Sequence, residues 1–95
     1  MNNLRVIILF FVLLSSLISA QEVDITSALR QIDSGEILSA NNILKELKSK
    51  SPNDPSVLFL DAVLTTNGEE ALKKYSIIYE KFPRSKYADA ALYRI

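Results

Sequence analysis

The sequence predicts an all-α fold for the part of the chain that follows residue 20. Apolar residues recur there at the three- and four-residue spacing of amphipathic helices, and no useful stretch alternates with the period of two that strands require. Clusters of Gly, Pro, Asn, Asp and Ser separate these segments and leave only short connections. Because short connections favour antiparallel packing, we expect consecutive helices to form antiparallel pairs.

The first 20 residues have the composition of a secretory signal peptide. Met1–Arg5 is polar and positively charged, Val6–Leu14 is an unbroken apolar run, and Ser15–Ala20 is small and weakly polar. The apolar run is shorter than the roughly 20 residues that span a bilayer as a helix. We therefore expect export to the periplasm or outside the cell, with cleavage after Ala20. An uncleaved inner-membrane anchor over residues 4–20 is the alternative.

Two helices are predicted in the first part of the remaining chain. The first is capped by Asp24 or Thr26 and ends at Asp33-Ser34-Gly35, where Gly35 suits the left-handed conformation. The second ends at the breaker Ser51–Pro55, because the two prolines there lack the N–H that a helix needs. The two apolar stripes are Ile25, Ala28, Leu29 and Ile32, and then Ile37, Ala40, Ile43, Leu44 and Leu47.

Two more helices and the start of another are predicted after the breaker. A largely apolar helix covers Ser56–Thr65, and Thr66-Asn67-Gly68 closes it. The next helix runs from Glu69 to Lys81, with its acidic residues at the positive N-terminal end of the helix dipole. The fifth helix opens at Tyr87 and still runs at Ile95.

An internal repeat relates the helix pairs. A small residue, two larger apolar residues and a proline occur twice with identical spacing, 31 residues apart, as Ala40, Leu44, Leu47 and Pro52 and as Ala71, Tyr75, Ile78 and Pro83. The small residue allows close helix approach, and the larger ones fill the groove between helices. We therefore expect one domain at residues 21–95. Its helix pairs are expected at about 24–51 and 55–82, and a third pair is expected to begin at 86–95.

This pattern resembles the tetratricopeptide repeat family, whose helix–turn–helix units have about 34 residues. Ala28 and Ala62 match the small residue of that family's first helix, although the family's usual Trp is absent. The string Tyr-Glu-Lys-Phe-Pro-Arg-Ser-Lys-Tyr-Ala at residues 79–88 is similar to a subclass in bacterial envelope proteins, such as the Tol-Pal coordinator and an outer-membrane assembly lipoprotein. The alternative for its tyrosines is packing within the repeats. The resemblance implies pairs stacked as a short right-handed solenoid.

The composition argues against catalysis. The chain has no Cys and no His, so we expect no enzyme, no metal site and no cofactor. Glu69 and Glu70 suit a helix N-terminus better than acid–base chemistry. Asp61 lies within an apolar helix, and we favour a solvated position for it over contact with a partner. Eleven basic residues balance eleven acidic ones, so the chain lacks the excess of positive charge that binding to nucleic acid requires. We therefore expect no nucleic-acid partner.

The resemblance implies a scaffold that binds a protein or peptide on a concave face lined by the first helix of each pair. Self-association as a homo-oligomer, tethered or secreted, is the alternative. Contact with a membrane is expected only through the first segment if it stays uncleaved. Repeat arrays need three or more units, so we expect the array to continue beyond Ile95, where Ala91 and Leu92 would be exposed. The candidate binding residues are Arg30, Gln31, Phe59, Asp61, Tyr87 and Arg94.

Overall fold

A computed structural model describes residues 22–95, and the predictions for the signal segment lie outside these residues. The described part contains five α-helices and no strand, so the all-α prediction is confirmed for it. No helix in this part combines the length and the apolar character that crossing a membrane requires.

The helices follow one another along the chain and each packs against the next. Their bounds are close to those that the sequence predicts. They are α1 (Thr26–Asp33), α2 (Ile37–Lys50), α3 (Pro55–Leu64), α4 (Gly68–Lys81) and α5 (Ala88–Arg94).

Gly35 makes the turn between α1 and α2, as predicted. Its φ of 81° is in the left-handed region, which favours glycine because a Cβ is strained there. The Gly35 N–H donates to the Ile32 carbonyl at 3.0 Å, and the Glu36 N–H donates to the Gln31 carbonyl at 2.7 Å. This pair of bonds is the Schellman motif, and it satisfies carbonyl groups that the end of α1 would otherwise leave unpaired.

The 31-residue repeat is visible in the hydrogen bonds of the two proline loops. In both loops the backbone N–H of the residue that follows the helix donates to a carbonyl of the last helical turn. The carbonyl of that same residue then accepts from the N–H of the residue three positions later. The bonds are Ser51 to Leu47 (2.8 Å) and Asp54 to Ser51 (3.2 Å) in the first loop, and Phe82 to Ile78 (2.9 Å) and Ser85 to Phe82 (3.0 Å) in the second. The two loops therefore share their backbone geometry as well as their sequence spacing.

Two turn residues have a different role from the predicted one. Asn67 does not close α3; its side-chain oxygen accepts from the Glu70 N–H at 3.0 Å, so it caps the start of α4. Asp54 does more than form a turn, because it caps α3 by accepting from the N–H groups of Ser56 and Val57. Both residues are of the types that favour such caps.

The core is centred on α3, in which every residue is buried or half-buried. Leu60 of α3 and Ile78 of α4 are fully enclosed, and burial of each side chain stabilises the fold by about 1.5–3 kcal/mol. Ala91 of α5 is also fully buried, contrary to the expectation that it is exposed. The enclosed cluster consists of Ile25, Ala28, Leu44, Val57, Phe59, Leu60, Ala62, Tyr75, Ile78 and Ala91.

Candidate protein-binding surface

Phe59 of α3 is the centre of an aromatic cluster that joins three helices. Its ring stacks on that of Tyr87, at the start of α5, with centroids 4.7 Å apart and planes 12° from parallel. Its other neighbour is Tyr75 of α4, at 5.9 Å and tilted by 59°. Phe59 is only 3% exposed, so its ring is almost fully enclosed by its neighbours. Tyr87 remains half-buried.

Arg94 of α5 lies over this cluster. Its guanidinium carbon is 5.7 Å from the centroid of Phe59 and 5.8 Å from that of Tyr75, which is within the range of cation–π attraction. The residue is nevertheless exposed, and no carboxylate among residues 22–95 forms an ion pair with it. The rings therefore attract the guanidinium by about 0.5–1 kcal/mol each, the value for an exposed site, while its donors remain available to another molecule.

Asp61 is not on the freely solvated side. Its side chain is 18% exposed and pairs with Lys48 of α2 at 3.5 Å and with Lys74 of α4 at 3.3 Å. The Lys74 ammonium also donates to the Thr65 hydroxyl at 2.9 Å. Asp61 thus connects the second helices of the two pairs, and its carboxylate is engaged within the fold.

Arg30 and Gln31 lie next to each other on α1. Arg30 is exposed, and no ion pair to it occurs in the described chain. The Gln31 side-chain oxygen is buried, and no donor among the described residues reaches it. An unsatisfied buried acceptor costs about 1–3 kcal/mol, so this oxygen lowers the stability of the fold at α1.

Of the six predicted residues, the structure brings together Phe59, Tyr87 and Arg94. It places Asp61 in a separate ion-pair cluster, and Arg30 and Gln31 on α1. Whether any of the six contacts a partner stays a prediction.

A second polar network, absent from the sequence predictions, joins the starts of α1, α3 and α5. Glu22 accepts from the Ser56 hydroxyl at 2.6 Å and from the Lys86 backbone N–H at 3.0 Å. Asp54 accepts from the Val23 N–H at 3.0 Å in addition to capping α3. These bonds link residues far apart in the chain, and no local sequence pattern reports such contacts.

The network changes the acidity of Glu22. Burial by itself raises the pKa of this carboxyl, but hydrogen bonds from Ser56, from the Lys86 backbone and from Ser85 outweigh it, and the pKa falls below its ordinary value. The pKa of Asp24 is also lowered, because the Thr26 hydroxyl and backbone N–H both donate to its carboxylate. Both carboxylates are therefore charged at neutral pH, and their hydrogen bonds fix the segment that precedes α1.

A cleft of about 530 Å³ opens beside Glu22. Its lining mixes apolar rings with basic side chains, but its one carboxylate is already bonded to Ser56 and Lys86. The lining residues are Glu22, Pro55, Lys81, Phe82, Pro83, Arg84 and Ser85. The described residues contain no group of three or more His, Cys, Asp or Glu side chains that converge on one point as metal ligands do.

Comparison with protein-family models, with curated proteins and with solved structures finds no match to this chain. The family resemblance drawn from the Ala and Pro spacing therefore stays a prediction. What supports a function for this protein is the geometry of its own residues.

Proposed function

We propose that this protein is an exported, non-catalytic scaffold that binds a segment of another protein along the side formed by α1, α3 and α5. The observation that carries the proposal is the exposed Arg94 guanidinium, held over Phe59 and Tyr75 without an acidic partner in the described chain. The rings favour one placement of this side chain, which lowers the conformational entropy that it loses on binding. Arginine supported by aromatic rings is also typical of the residues that dominate protein interfaces.

The arrangement of the first helices supports the same proposal. Glu22 and Asp54 tie the starts of α1, α3 and α5 together, so these helices begin at one end of the molecule. Together with the repeated proline loops, this favours stacked pairs in a short solenoid of the tetratricopeptide type. In such a stack the first helices form a continuous surface that suits an extended or helical segment.

The exposed polar groups on the side formed by α1, α3 and α5 are suited to hydrogen bonding with the backbone of a bound protein segment. Arg94 and Arg30 are exposed and offer donors to carbonyl or carboxylate oxygens. A segment that supplies backbone carbonyl or carboxylate oxygens would pair with both guanidinium groups. The proposed location is the cell envelope, and this rests on the signal-like composition of Met1–Ala20.

Self-association without an adaptor role is the second candidate, tethered or secreted. It is favoured by the large apolar side chains that α4 and α5 leave exposed. The two candidates predict different contact surfaces, since a scaffold uses Arg30 and Arg94 and self-association requires the apolar side chains.

Photocrosslinking in intact cells tests the scaffold proposal. Ser27, exposed on α1 beside Arg30, is replaced by p-benzoylphenylalanine in the full-length protein, and Asn42, exposed on α2, serves as the control position. We expect adducts with another protein from position 27 and none from position 42. Arg94→Ala should reduce the yield from position 27 roughly tenfold, the loss expected for one interface arginine, whereas Lys50→Ala should leave it unchanged. Equal adducts from both positions, or adducts unaffected by Arg94→Ala, would contradict the proposal.

A further inference from the structure

The cleft beside Glu22 lies between the start of α3 and the proline loop that joins α4 to α5. Pro55, the first residue of α3, lines one part of it, and residues 81–85 line another. Its volume of about 530 Å³ is within the range of roughly 300–1,000 Å³ that is typical of ligand-binding clefts. The cleft is therefore large enough to receive side chains of a bound molecule.

The charged groups of the cleft are mostly basic. Lys81 and Arg84 both line it and are exposed, and neither forms an ion pair with a carboxylate of residues 22–95. The one acidic lining residue, Glu22, already accepts hydrogen bonds from the Ser56 hydroxyl and the Lys86 backbone N–H. The cleft therefore carries two positive charges that no described carboxylate pairs with.

Three rings supply the apolar part of the cleft. Phe82 and Pro55 are half-buried, and Pro83 is exposed. The Phe82 N–H donates to the Ile78 carbonyl at 2.9 Å, and the Phe82 carbonyl accepts from the Ser85 N–H at 3.0 Å. These bonds favour one backbone arrangement of the loop, which lowers the conformational entropy that it loses on binding.

Comparison with the first proline loop shows that Lys81 lacks a partner that its repeat equivalent has. Lys50 occupies the equivalent position and pairs with Glu46, four residues before it, at 3.0 Å. The residue four positions before Lys81 is Ile77, which carries no charge. The i, i+4 pair that stabilises a helix end in this way is therefore missing, and the Lys81 ammonium remains available to an acidic group of another molecule.

The first proline loop also lacks the other binding groups of the cleft. Ser51 and Asn53 occupy the positions equivalent to Phe82 and Arg84. The backbone hydrogen bonds repeat in the two loops, so the turn itself requires neither the aromatic ring nor the guanidinium. These two side chains instead give the second loop an apolar ring and a positive charge close together in the chain.

The cleft is open to solvent. Three of its seven lining residues are exposed, namely Lys81, Pro83 and Arg84. Sites for small molecules usually bury most of the surface of their ligand. An open cleft instead suits a chain segment, which inserts side chains and continues along the surface of the protein.

We infer that the cleft beside Glu22 binds a segment of another protein in which an acidic residue lies next to an apolar residue. The acidic side chain pairs with Lys81, with Arg84 or with both, and a guanidinium can donate two parallel hydrogen bonds to one carboxylate. The apolar side chain packs against Phe82 and the neighbouring prolines. The positive charge of the cleft also disfavours basic segments, so it contributes to specificity.

This contact goes beyond the proposed function and does not depend on it. It uses neither Arg30 nor Arg94, and it does not require the removal of Met1–Ala20. Its test uses variants of the cleft, whereas the scaffold proposal is tested by crosslinking from position 27. Either proposal can therefore fail while the other stands.

Selection from a phage-displayed library of random short peptides tests the inference on purified protein produced from the full sequence. We expect the recovered peptides to share an acidic residue next to an apolar one. A selected peptide is then synthesised with a fluorescent label, and its dissociation constant is measured by fluorescence polarisation. Replacing its acidic residue by the corresponding amide should raise that constant roughly tenfold, because a charge-assisted hydrogen bond is lost.

Variants of the cleft show whether the peptide binds there. Lys81→Gln combined with Arg84→Gln should raise the dissociation constant of the acidic peptide roughly tenfold or more, and should leave that of the amide peptide nearly unchanged. Lys45→Gln combined with Lys50→Gln is the matched control, because it removes the same charge from exposed positions outside the cleft. Circular dichroism should show the same helix content in both double variants, since all four side chains are exposed.

Two results of the selection would overturn the inference: peptides that lack an acidic residue, or no specific peptide at all. Equal affinity of the acidic peptide for the wild-type protein and for the cleft variant would also overturn it.

Discussion

At the scale of single residues, a few carboxylates determine how the helices are held together. Glu22 bonds to Ser56 and to the Lys86 backbone, and Asp61 pairs with Lys48 and Lys74. The sequence could not predict these roles, because the partners of Glu22 are 34 and 64 positions away. The solvated position favoured for Asp61 was wrong for the same reason, since its neighbours come from two other helices.

Because of Glu22, the free energy of unfolding is expected to decrease as the pH falls in the acid range. Its pKa is lowered in the folded state, so the unfolded state takes up the proton first as pH falls. The stabilisation is complete above the ordinary pKa of 4.5 and is lost as pH falls through the folded value. Glu22→Gln should therefore flatten the loss of stability below about pH 5. It should reduce the free energy of unfolding at neutral pH by only a few tenths of a kcal/mol, because solvent screens this partly exposed carboxylate.

Urea denaturation across this pH range measures both effects. Glu80→Gln is the matched control, because Glu80 is exposed and forms no hydrogen bond with a described side chain. An unchanged acid dependence in Glu22→Gln would show that the network does not persist in solution.

At the scale of elements, helix positions were predictable because the signals that set them are local. The apolar spacing, Gly35 and the proline loops located all five described helices to within about two residues. The role of Asn67 was missed because the same residue types end one helix and cap the next. The sequence did not show that Phe59 is only 3% exposed, because burial depends on the neighbouring helices as well as on the stripe of its own helix.

The two glycines provide a prediction at this scale. Gly35→Ala should lower the free energy of unfolding by about 1 kcal/mol, because alanine is strained at a φ of 81°. Gly68→Ala is the matched control: Gly68 is the first residue of α4, its φ is not positive, and an added Cβ meets no atom within 4 Å. Thermal unfolding should show a lower midpoint for Gly35→Ala and an unchanged or higher one for Gly68→Ala. Equal effects in the two variants would contradict the left-handed turn.

At the scale of the whole molecule, the 31-residue repeat links the sequence to the proposed activity. It was visible in the sequence as the spacing of Ala40 and Pro52 against Ala71 and Pro83, and the loop hydrogen bonds repeat with it. The identity of a partner is not encoded in this way, because the contacting groups come from several helices.

We propose that this helical domain is exported before it works as a scaffold, and the intact mass of the native protein recovered from cell fractions tests the export. We expect an envelope or secreted species that begins at Gln21, with Met1–Ala20 removed. A cytoplasmic species that retains Met1–Ala20 would show that the protein is not exported.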